Sequence, residues 1–362
     1  MISKKLKIIL TGSAIFICLL LLFIIPIIKK PTYDYSYTTK PLYVHDELYI
    51  SDHPLIYIKD VLFFPLEIFS SDTTQYSTNS SKDVIEIDKT IYLSQNYIEN
   101  VLNKQISDNE DSVYISYNFD YSWADNNTYI AHSLGEIDDN IGTNSLEAFN
   151  TSYEKGIRIF EVDLSITSDN KLVAIGDWEQ ALETLNISNQ DTPLSQEEFL
   201  SSKILGKYTT LSFEDILKLM QKYPDIYIVT NTQQTTEPYI SLQFEHIVNT
   251  AEKIDVNLLD RIIPQIYNND MFHSIMDIHE WKSIIYSIYN LENNFSREEV
   301  LDFLIRNGIN VITTNIKHSP KAFVDKLIEN DKLVYLHSLN DFENVELWES
   351  RGIHGFYTDF LY

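Results

Sequence analysis

From Thr128 to Tyr362, short apolar segments alternate with amphipathic ones, and this alternation is the strongest constraint on the fold. Such alternation is typical of βα units, in which parallel strands are joined by helices. Eight candidate strands occur: Tyr129–Ala131, Ile157–Leu164, Ile226–Thr230, Ile262–Gln265, Ser283–Tyr286, Val311–Thr313, Leu333–Leu336 and Gly355–Tyr357. Eight units in about 235 residues predict an α/β fold, the (β/α)8 or TIM barrel, with functional side chains at the C-terminal ends of its strands.

Two positions in this region are typical helix starts. Asn144 is expected to cap the first helix, because Leu146 and Phe149 then recur at helical spacing. Ser212, followed by Asp215, is expected to begin a later helix. Both predictions place a helix between two candidate strands.

The N-terminus contains one long apolar run. Ile8 to Ile28 is 21 residues without a charge, and as a helix it would be roughly 30 Å long, the thickness of a hydrocarbon layer. The run ends without the small residues of a cleavage site, so residues 1–30 are predicted to be a transmembrane anchor. A cleaved signal peptide is the alternative. Lysines before the run favour a cytoplasmic N-terminus, and both alternatives put the remaining residues outside the cell membrane.

Residues 31–127 are predicted to form a small β-rich, extracytoplasmic domain that acts as a stalk or spacer. Their apolar segments are short and separated by turn residues, as in small sheets. The candidate strands are Leu42–Val44, Leu48–Ile50, Leu55–Ile58, Val61–Leu66, Val84–Ile87 and Ile91–Leu93. Residues 128–362 would then be the barrel domain.

The charge of the chain excludes one class of partner. The formal net charge is −26, although the first thirty residues carry five lysines and no acid. Such a surface repels nucleic acid, so no polynucleotide partner is expected. The single cysteine, Cys18, excludes an intrachain disulfide.

Three side chains at the ends of the first two candidate strands could perform chemistry. His132 follows the first strand, and Glu161 and Asp163 lie near the end of the second. A strand has a side-chain period of two, so both carboxylates point to the same face. Two adjacent carboxylates repel one another unless a cation such as Mg²⁺ or Ca²⁺ lies between them. The alternative is a pair that only accepts hydrogen bonds from backbone amides or a lysine.

Several linked segments resemble one known family in order and spacing. They are Ile130–Gly135, Thr143–Phe149, Phe160–Asp169, Leu172–Trp178, Ile263–Tyr267 and Gly355–Phe360. Together they resemble the glycerophosphodiester phosphodiesterase family, a group of phospholipase C-like TIM barrels. The resemblance implies a metal-dependent hydrolase of phosphoric diesters. In such an enzyme two histidines act as general acid and base, Mg²⁺ or Ca²⁺ neutralises the phosphate, and arginine and lysine hold it.

The resemblance assigns roles to four residues of this chain. His132 matches the first catalytic histidine, Glu161 and Asp163 match two metal ligands, and Asn144 matches the asparagine of the second motif, placed in the substrate pocket.

Four positions depart from the family pattern. Ser133 stands in place of an arginine, and Gly176 in place of the second catalytic histidine. Asn231 and Gln233 replace an acidic metal ligand and a lysine, so Asn231 could be only a weak third ligand. Losing a general acid or base typically costs 10²–10⁴-fold in rate.

Three further residues are candidates for the substrate pocket. Asp177 and Trp178 follow Gly176, and His337 ends the seventh candidate strand, where it could replace the missing histidine. The favoured function is an impaired, membrane-anchored barrel that binds a phosphodiester-bearing small molecule, lipid headgroup or wall polymer, or serves as a scaffold. The alternatives are an active phosphodiesterase and a purely structural module.

Overall fold

The computed structural model describes residues 33–69, 82–187, 193–232, 234–289, 291 and 295–362. The expected anchor, residues 1–30, and the candidate residue Gln233 lie outside this set. Among the described residues, no helix combines the length and apolarity needed to cross a bilayer. The chain forms two compact units, the first containing residues up to Lys40 and Ile50–Leu102, and the second Pro41–Tyr49 and Asn103–Tyr362.

Short strands fill the described residues before position 118. In chain order they are β1 (Ser36–Tyr37), β2 (Leu42–Val44), β3 (Glu47–Tyr49), β4 (Ile56–Ile58), β5 (Val61–Pro65), β6 (Val84–Ile87), β7 (Thr90–Ser94), β8 (Lys104–Asp108) and β9 (Val113–Tyr117), with an α-helix, α1 (Gln95–Asn100), and a 3-10 helix at Leu66–Phe69. The first unit is an antiparallel sheet in the order β1-β4-β5-β7-β6. Its core consists of Ile56, Phe63, Ile85 and Tyr92.

A second sheet, in the order β3-β2-β9-β8, belongs to the same compact unit as the barrel. Strand β2 runs parallel to β9, with Leu42 opposite Val113. The ring of Tyr117 at the end of β9 lies 5.8 Å from that of Phe272, edge to face. The two compact units therefore do not coincide with the expected segments, because residues 41–49 and 103–127 belong to the same unit as the barrel.

The predicted barrel is confirmed. Its eight parallel strands are β10 (Tyr129–Ala131), β11 (Ile159–Ile166), β15 (Tyr227–Thr232), β16 (Ile262–Ile266), β17 (Ile285–Ser287), β18 (Val311–Thr314), β19 (Leu333–Leu336) and β20 (Gly355–Thr358). The barrel closes because β10 pairs with both β11 and β20. Three short strands, β12 (Leu172–Ala174), β13 (Lys203–Ile204) and β14 (Tyr208–Thr209), lie between β11 and β15 in the chain.

Helices of the barrel unit follow the strands in the expected alternation. They are α2 (Leu146–Glu154), α3 (Trp178–Thr184), α4 (Gln196–Ser201), α5 (Phe213–Lys222), α6 (Tyr239–Ile254), α7 (Asn269–Ile278), α8 (Arg297–Asn307), α9 (Lys321–Glu329) and α10 (Phe342–Glu349). The predicted start of α5 is confirmed, since Ser212 and Asp215 form a reciprocal capping box.

The predicted cap of α2 is wrong. Ser145, not Asn144, caps this helix, and its hydroxyl accepts a hydrogen bond from the amide of Ala148 at 3.2 Å. Asn144 has a φ of 48°, a backbone conformation that asparagine tolerates better than most residues. Its side chain turns instead towards Asp163 on β11, so it contributes to the barrel mouth.

Candidate functional site

The interior of the barrel changes from apolar to polar along every strand. Its N-terminal layer consists of Ile130, Ile159, Val229, Ile263, Ile285, Val311, Tyr335 and Tyr357, closed by Trp123 and Ala124. Side chains two residues further along a strand point the same way. These next positions are all polar: His132, Glu161, Asn231, Gln265, Ser287, Thr313, His337 and Asp359. The sequence thus builds a packed base and a polar mouth at the C-terminal end, where barrel enzymes place their sites.

The mouth contains a cleft of about 470 Å³. Its lining residues are His132, Asp163, Asn231, Thr232, Thr235, Gln265, Tyr267, Ser287, Tyr289 and His337. Of the residues predicted for the site, the cleft therefore brings together His132, Asp163, Asn231 and His337. Within the described part of the chain, this lining includes no lysine or arginine.

His132 is held by a buried carboxylate. Its Nδ1 lies 2.9 Å from Oδ1 of Asp359, whose own carboxylate also accepts a hydrogen bond from the Asn340 amide. Burial alone would lower the pKa of His132, but the hydrogen bond to Asp359 and the charges of nearby carboxylates outweigh it and raise the pKa to about 9. His132 is therefore a cation at neutral pH with a fixed ring orientation.

Glu161 is fully buried beside His132. Its Oε2 accepts a hydrogen bond from the backbone amide of Ser133 at 2.7 Å, whereas its Oε1 accepts none from the described residues. Burial and the charge of Asp163 raise the pKa of Glu161 to about 7, against the opposing effects of the His132 charge, the Ser133 amide and the nearby Asn231 side chain. A buried carboxylate oxygen without a donor is costly unless a proton or an ion completes it.

Asp163 is surrounded by neutral donors. Its Oδ2 accepts hydrogen bonds from the Ser133 hydroxyl at 2.7 Å and from the Asn144 amide at 2.8 Å. Its Oδ1 accepts one from the Asn231 amide at 2.8 Å, because β11 and β15 place these two residues directly opposite each other. Ser133 thus fills the position of the family's arginine with a hydroxyl that donates to a carboxylate.

The described arrangement offers little to a hard cation at the three predicted ligands. The side-chain oxygen of Asn231 accepts a hydrogen bond from the Tyr267 hydroxyl. Both carboxylate oxygens of Asp163 also accept hydrogen bonds, so these oxygens are already used by donors. Only Glu161 has an oxygen that accepts no hydrogen bond from the described residues. Ca²⁺ takes six to eight oxygen ligands, so the Glu161, Asp163 and Asn231 set does not fit it in this conformation.

A different group of side chains converges at the same place. His132, Glu161 and His337 each offer one ligand atom, and these atoms lie within 4.8 Å of one another. The rings of His132 and His337 are 4.9 Å apart, edge to face. Burial and the charge of His132 hold the pKa of His337 well below its usual range, so its ring is neutral.

A chain of hydrogen bonds runs across the barrel interior from β20 to β16 and β15, and it was not predicted from the sequence. The Tyr357 hydroxyl donates to Gln265 at 2.7 Å, the Gln265 amide donates to the Tyr267 hydroxyl at 2.7 Å, and Tyr267 in turn donates to Asn231. Burial raises the pKa of both tyrosines, so they remain neutral donors. The period of two along β16 and β20 was the sequence signal that could have found these residues and Asp359.

The segment after β12 contains the remaining predicted residues. A Cβ added to Gly176 would meet no atom within 4 Å, and its backbone is outside the left-handed region. Asp177 caps α3 by accepting from the amide of Glu179, and Trp178 packs in a separate core cluster with its indole donating to the carbonyl of Ile166. Neither Asp177 nor Trp178 lines the cleft.

Comparisons with known proteins agree with the barrel fold. The model of the glycerophosphoryl diester phosphodiesterase family matches residues 137–362, a range that begins just after His132 and Ser133. A search of curated proteins gave no match.

Solved structures of similar fold come from several organisms. A putative glycerophosphodiester phosphodiesterase from Galdieria sulphuraria is 14% identical, covering 64% of this chain and 92% of that one with a TM-score of 0.53. One from Silicibacter pomeroyi is 13% identical, covering 65% and 90% with a TM-score of 0.52. An Oleispira antarctica phosphodiesterase, solved in complex with the product sn-glycerol-3-phosphate, is 13% identical, covering 64% and 92% with a TM-score of 0.52. At these identities the likeness shows the fold alone.

Proposed function

Because this chain belongs to the glycerophosphoryl diester phosphodiesterase family, we propose that it binds a glycerophosphodiester or related phosphate ester at the barrel mouth and hydrolyses it very slowly. One observation carries the proposal. Gly176, which stands where the family pattern has its second catalytic histidine, brings no side chain to the site, and a Cβ added there would meet no atom within 4 Å. A glycine can neither donate nor accept a side-chain proton, so one half of the acid and base pair is missing.

The remaining polar groups suit binding better than catalysis. The cationic ring of His132 can pair with a phosphate oxygen, and hydroxyl groups of Thr232, Ser287 and Tyr289 line the same cleft. A cleft of about 470 Å³ is within the size range of small-molecule sites. The Oleispira antarctica structure supports the ligand class, since that protein was solved with sn-glycerol-3-phosphate.

Ligand binding tests this proposal directly. We expect sn-glycerol-3-phosphate and glycerophosphocholine to give a saturable heat signal in calorimetry with the full-length protein. His132→Ala should weaken binding about 10-fold or more, because a charge-assisted hydrogen bond contributes roughly 1.5–3 kcal/mol.

The matched control is His273→Ala, which removes a half-exposed histidine beside Asp46, outside the cleft lining. Binding should be unchanged in this variant. Equal affinity of wild type and His132→Ala for both ligands, or no binding at all, would contradict the proposed site.

A second candidate function, slow but specific hydrolysis, is favoured by the position of His337. Its ring contacts that of His132 at 4.9 Å and lies in the same cleft. Two histidines this close to one bound phosphate could divide the roles of general acid and base. This candidate predicts turnover that disappears in both His132→Ala and His337→Ala.

We also propose that the barrel is displayed outside the cell membrane by the predicted anchor at Ile8–Ile28. The support is the uncharged run with lysines on both sides. Protease added to intact cells should therefore digest the barrel while leaving cytoplasmic marker proteins intact. Protection of the barrel until the membrane is permeabilised would contradict this topology.

A further inference from the structure

We infer that the barrel mouth holds a borderline divalent transition-metal ion, of the Zn²⁺ type, on His132, Glu161 and His337. His132 and His337 follow β10 and β19, and Glu161 lies on β11, yet one ligand atom of each lies within 4.8 Å of the others. Two imidazoles and one carboxylate are a ligand set that Zn²⁺ and Fe²⁺ favour, whereas Mg²⁺ and Ca²⁺ prefer oxygen ligands.

A second observation points to a ligand at this place. Glu161 is fully buried, and its Oε1 accepts no hydrogen bond from the described residues. An ion on Oε1 would complete this carboxylate, whose Oε2 is already fixed by the Ser133 amide.

Hydrogen-bonding groups behind the two histidine ligands hold their rings in place. Asp359 binds Nδ1 of His132, so an ion that displaces the proton from Nε2 would complete a carboxylate–histidine–metal arrangement. Asp359 is itself 2% exposed and is fixed by Asn340 through both its carboxylate and its backbone amide. The Ser338 hydroxyl lies 3.3 Å from Nδ1 of His337, so the Nε2 of that ring is also the nitrogen left for an ion.

The neighbouring carboxylate explains why the ligand set has shifted. Asp163 is satisfied by Ser133, Asn144 and Asn231, none of which carries a charge. The Ser133 hydroxyl and the Asn231 amide, which stand where the family pattern has charged residues, therefore donate to Asp163 together with Asn144 and take the place of a cation there. An ion is therefore favoured beside Glu161 and the two histidines rather than beside Asp163. Three protein ligands would leave at least one coordination position for water or a phosphate oxygen.

Metal titration of the chelator-treated full-length protein tests this inference. We expect one Zn²⁺ per chain in competition with a chromophoric chelator, and much weaker binding of Mg²⁺ and Ca²⁺. Glu161→Gln and His337→Ala should each lower the Zn²⁺ affinity by more than the 10–100-fold expected for the outer-shell change Asp359→Asn. Co²⁺ should give visible absorption bands that His337→Ala shifts or removes.

His273→Ala is the matched control, since it removes a histidine outside the cleft and should leave the affinity unchanged. Glu161→Gln preserves side-chain volume, and its unfolding midpoint measured without metal separates loss of the site from loss of the fold. Zn²⁺ affinity equal to wild type in Glu161→Gln and His337→Ala would overturn the inference. So would Ca²⁺ or Mg²⁺ binding that is tighter than Zn²⁺ binding and is lost in Asp163→Asn. The inference does not rest on the proposed function, because a chain that binds Zn²⁺ but no phosphate ester would contradict only the latter.

Discussion

The wild-type protein is expected to hydrolyse glycerophosphocholine about 10²–10⁴-fold more slowly than a barrel with both catalytic histidines, even when divalent metal is supplied. The triple variant Gly176→His, Asn231→Asp, Gln233→Lys should raise this rate in a metal-dependent way. It returns a proton-transfer group, an acidic ligand and a cation to positions that the family pattern assigns to them. Hydrolysis measured by release of choline is the readout.

The structure makes the key substitution feasible. A side chain at position 176 meets no atom within 4 Å of its Cβ, and the backbone there is not left-handed. At position 231, the Tyr267 hydroxyl that now donates to the amide oxygen can donate equally to a carboxylate. Gly176→His alone should have little effect, because groups that act as a unit are strongly non-additive.

Two controls make the activity experiment decisive. Adding His132→Ala to the triple variant should abolish the recovered activity. Robust wild-type turnover that is lost in His132→Ala and in His337→Ala would contradict the hypothesis of impaired catalysis. It would show that His337 replaces the missing histidine.

The second large effect concerns the closed base of the barrel. Trp123→Ala should lower the free energy of unfolding by about 3–5 kcal/mol, the usual cost of removing a buried tryptophan side chain. Trp123 is 3% exposed, its indole donates to Ser283 at 2.8 Å, and its ring lies 6.0 Å from that of Tyr335. Denaturant unfolding followed by circular dichroism measures the loss.

Trp123→Phe is the matched control for this prediction. It keeps an aromatic ring in the same space and removes the indole donor, so the expected loss is smaller, about 1–3 kcal/mol. Metal and ligand affinities should change little in both variants, since the polar mouth is at the other end of the strands. Unchanged stability of Trp123→Ala would show that this residue does not close the base.

The barrel could be predicted from sequence because each strand is a short apolar run bounded by polar or turn residues. All eight predicted strands agree with the structure to within two residues at either end. The cap of α2 could not be predicted, because Asn144 and Ser145 are both good capping residues. The choice depends on Asp163, which is distant in the chain and draws the Asn144 side chain away.

The site was only partly predictable for the same reason. His132 follows β10, and Glu161 and Asp163 lie two residues apart on the adjacent strand β11, so the convergence of these side chains follows from the strand period. The carboxylate that orients His132 is Asp359, which lies 227 residues away in the chain, and the linked motifs alone do not pair them. Trp178 directly follows Gly176 and Asp177, yet its ring is buried in a neighbouring hydrophobic cluster and does not reach the cleft.

The parallel pairing of β2 with β9 has a consequence for how the chain folds during synthesis. Leu42 cannot meet Val113 until about 70 further residues have left the ribosome, which at 5–20 residues per second takes roughly 4–14 s. During that interval one edge of β2 has no partner, and such an edge can pair with another nascent chain. A fragment that begins at Thr128 would remove this delay, but it would also lack Trp123 at the base of the barrel and leave Phe272 without the Tyr117 ring that now packs against it. When the barrel is expressed alone, its folding is therefore expected to be free of this delay, but a new apolar surface is exposed.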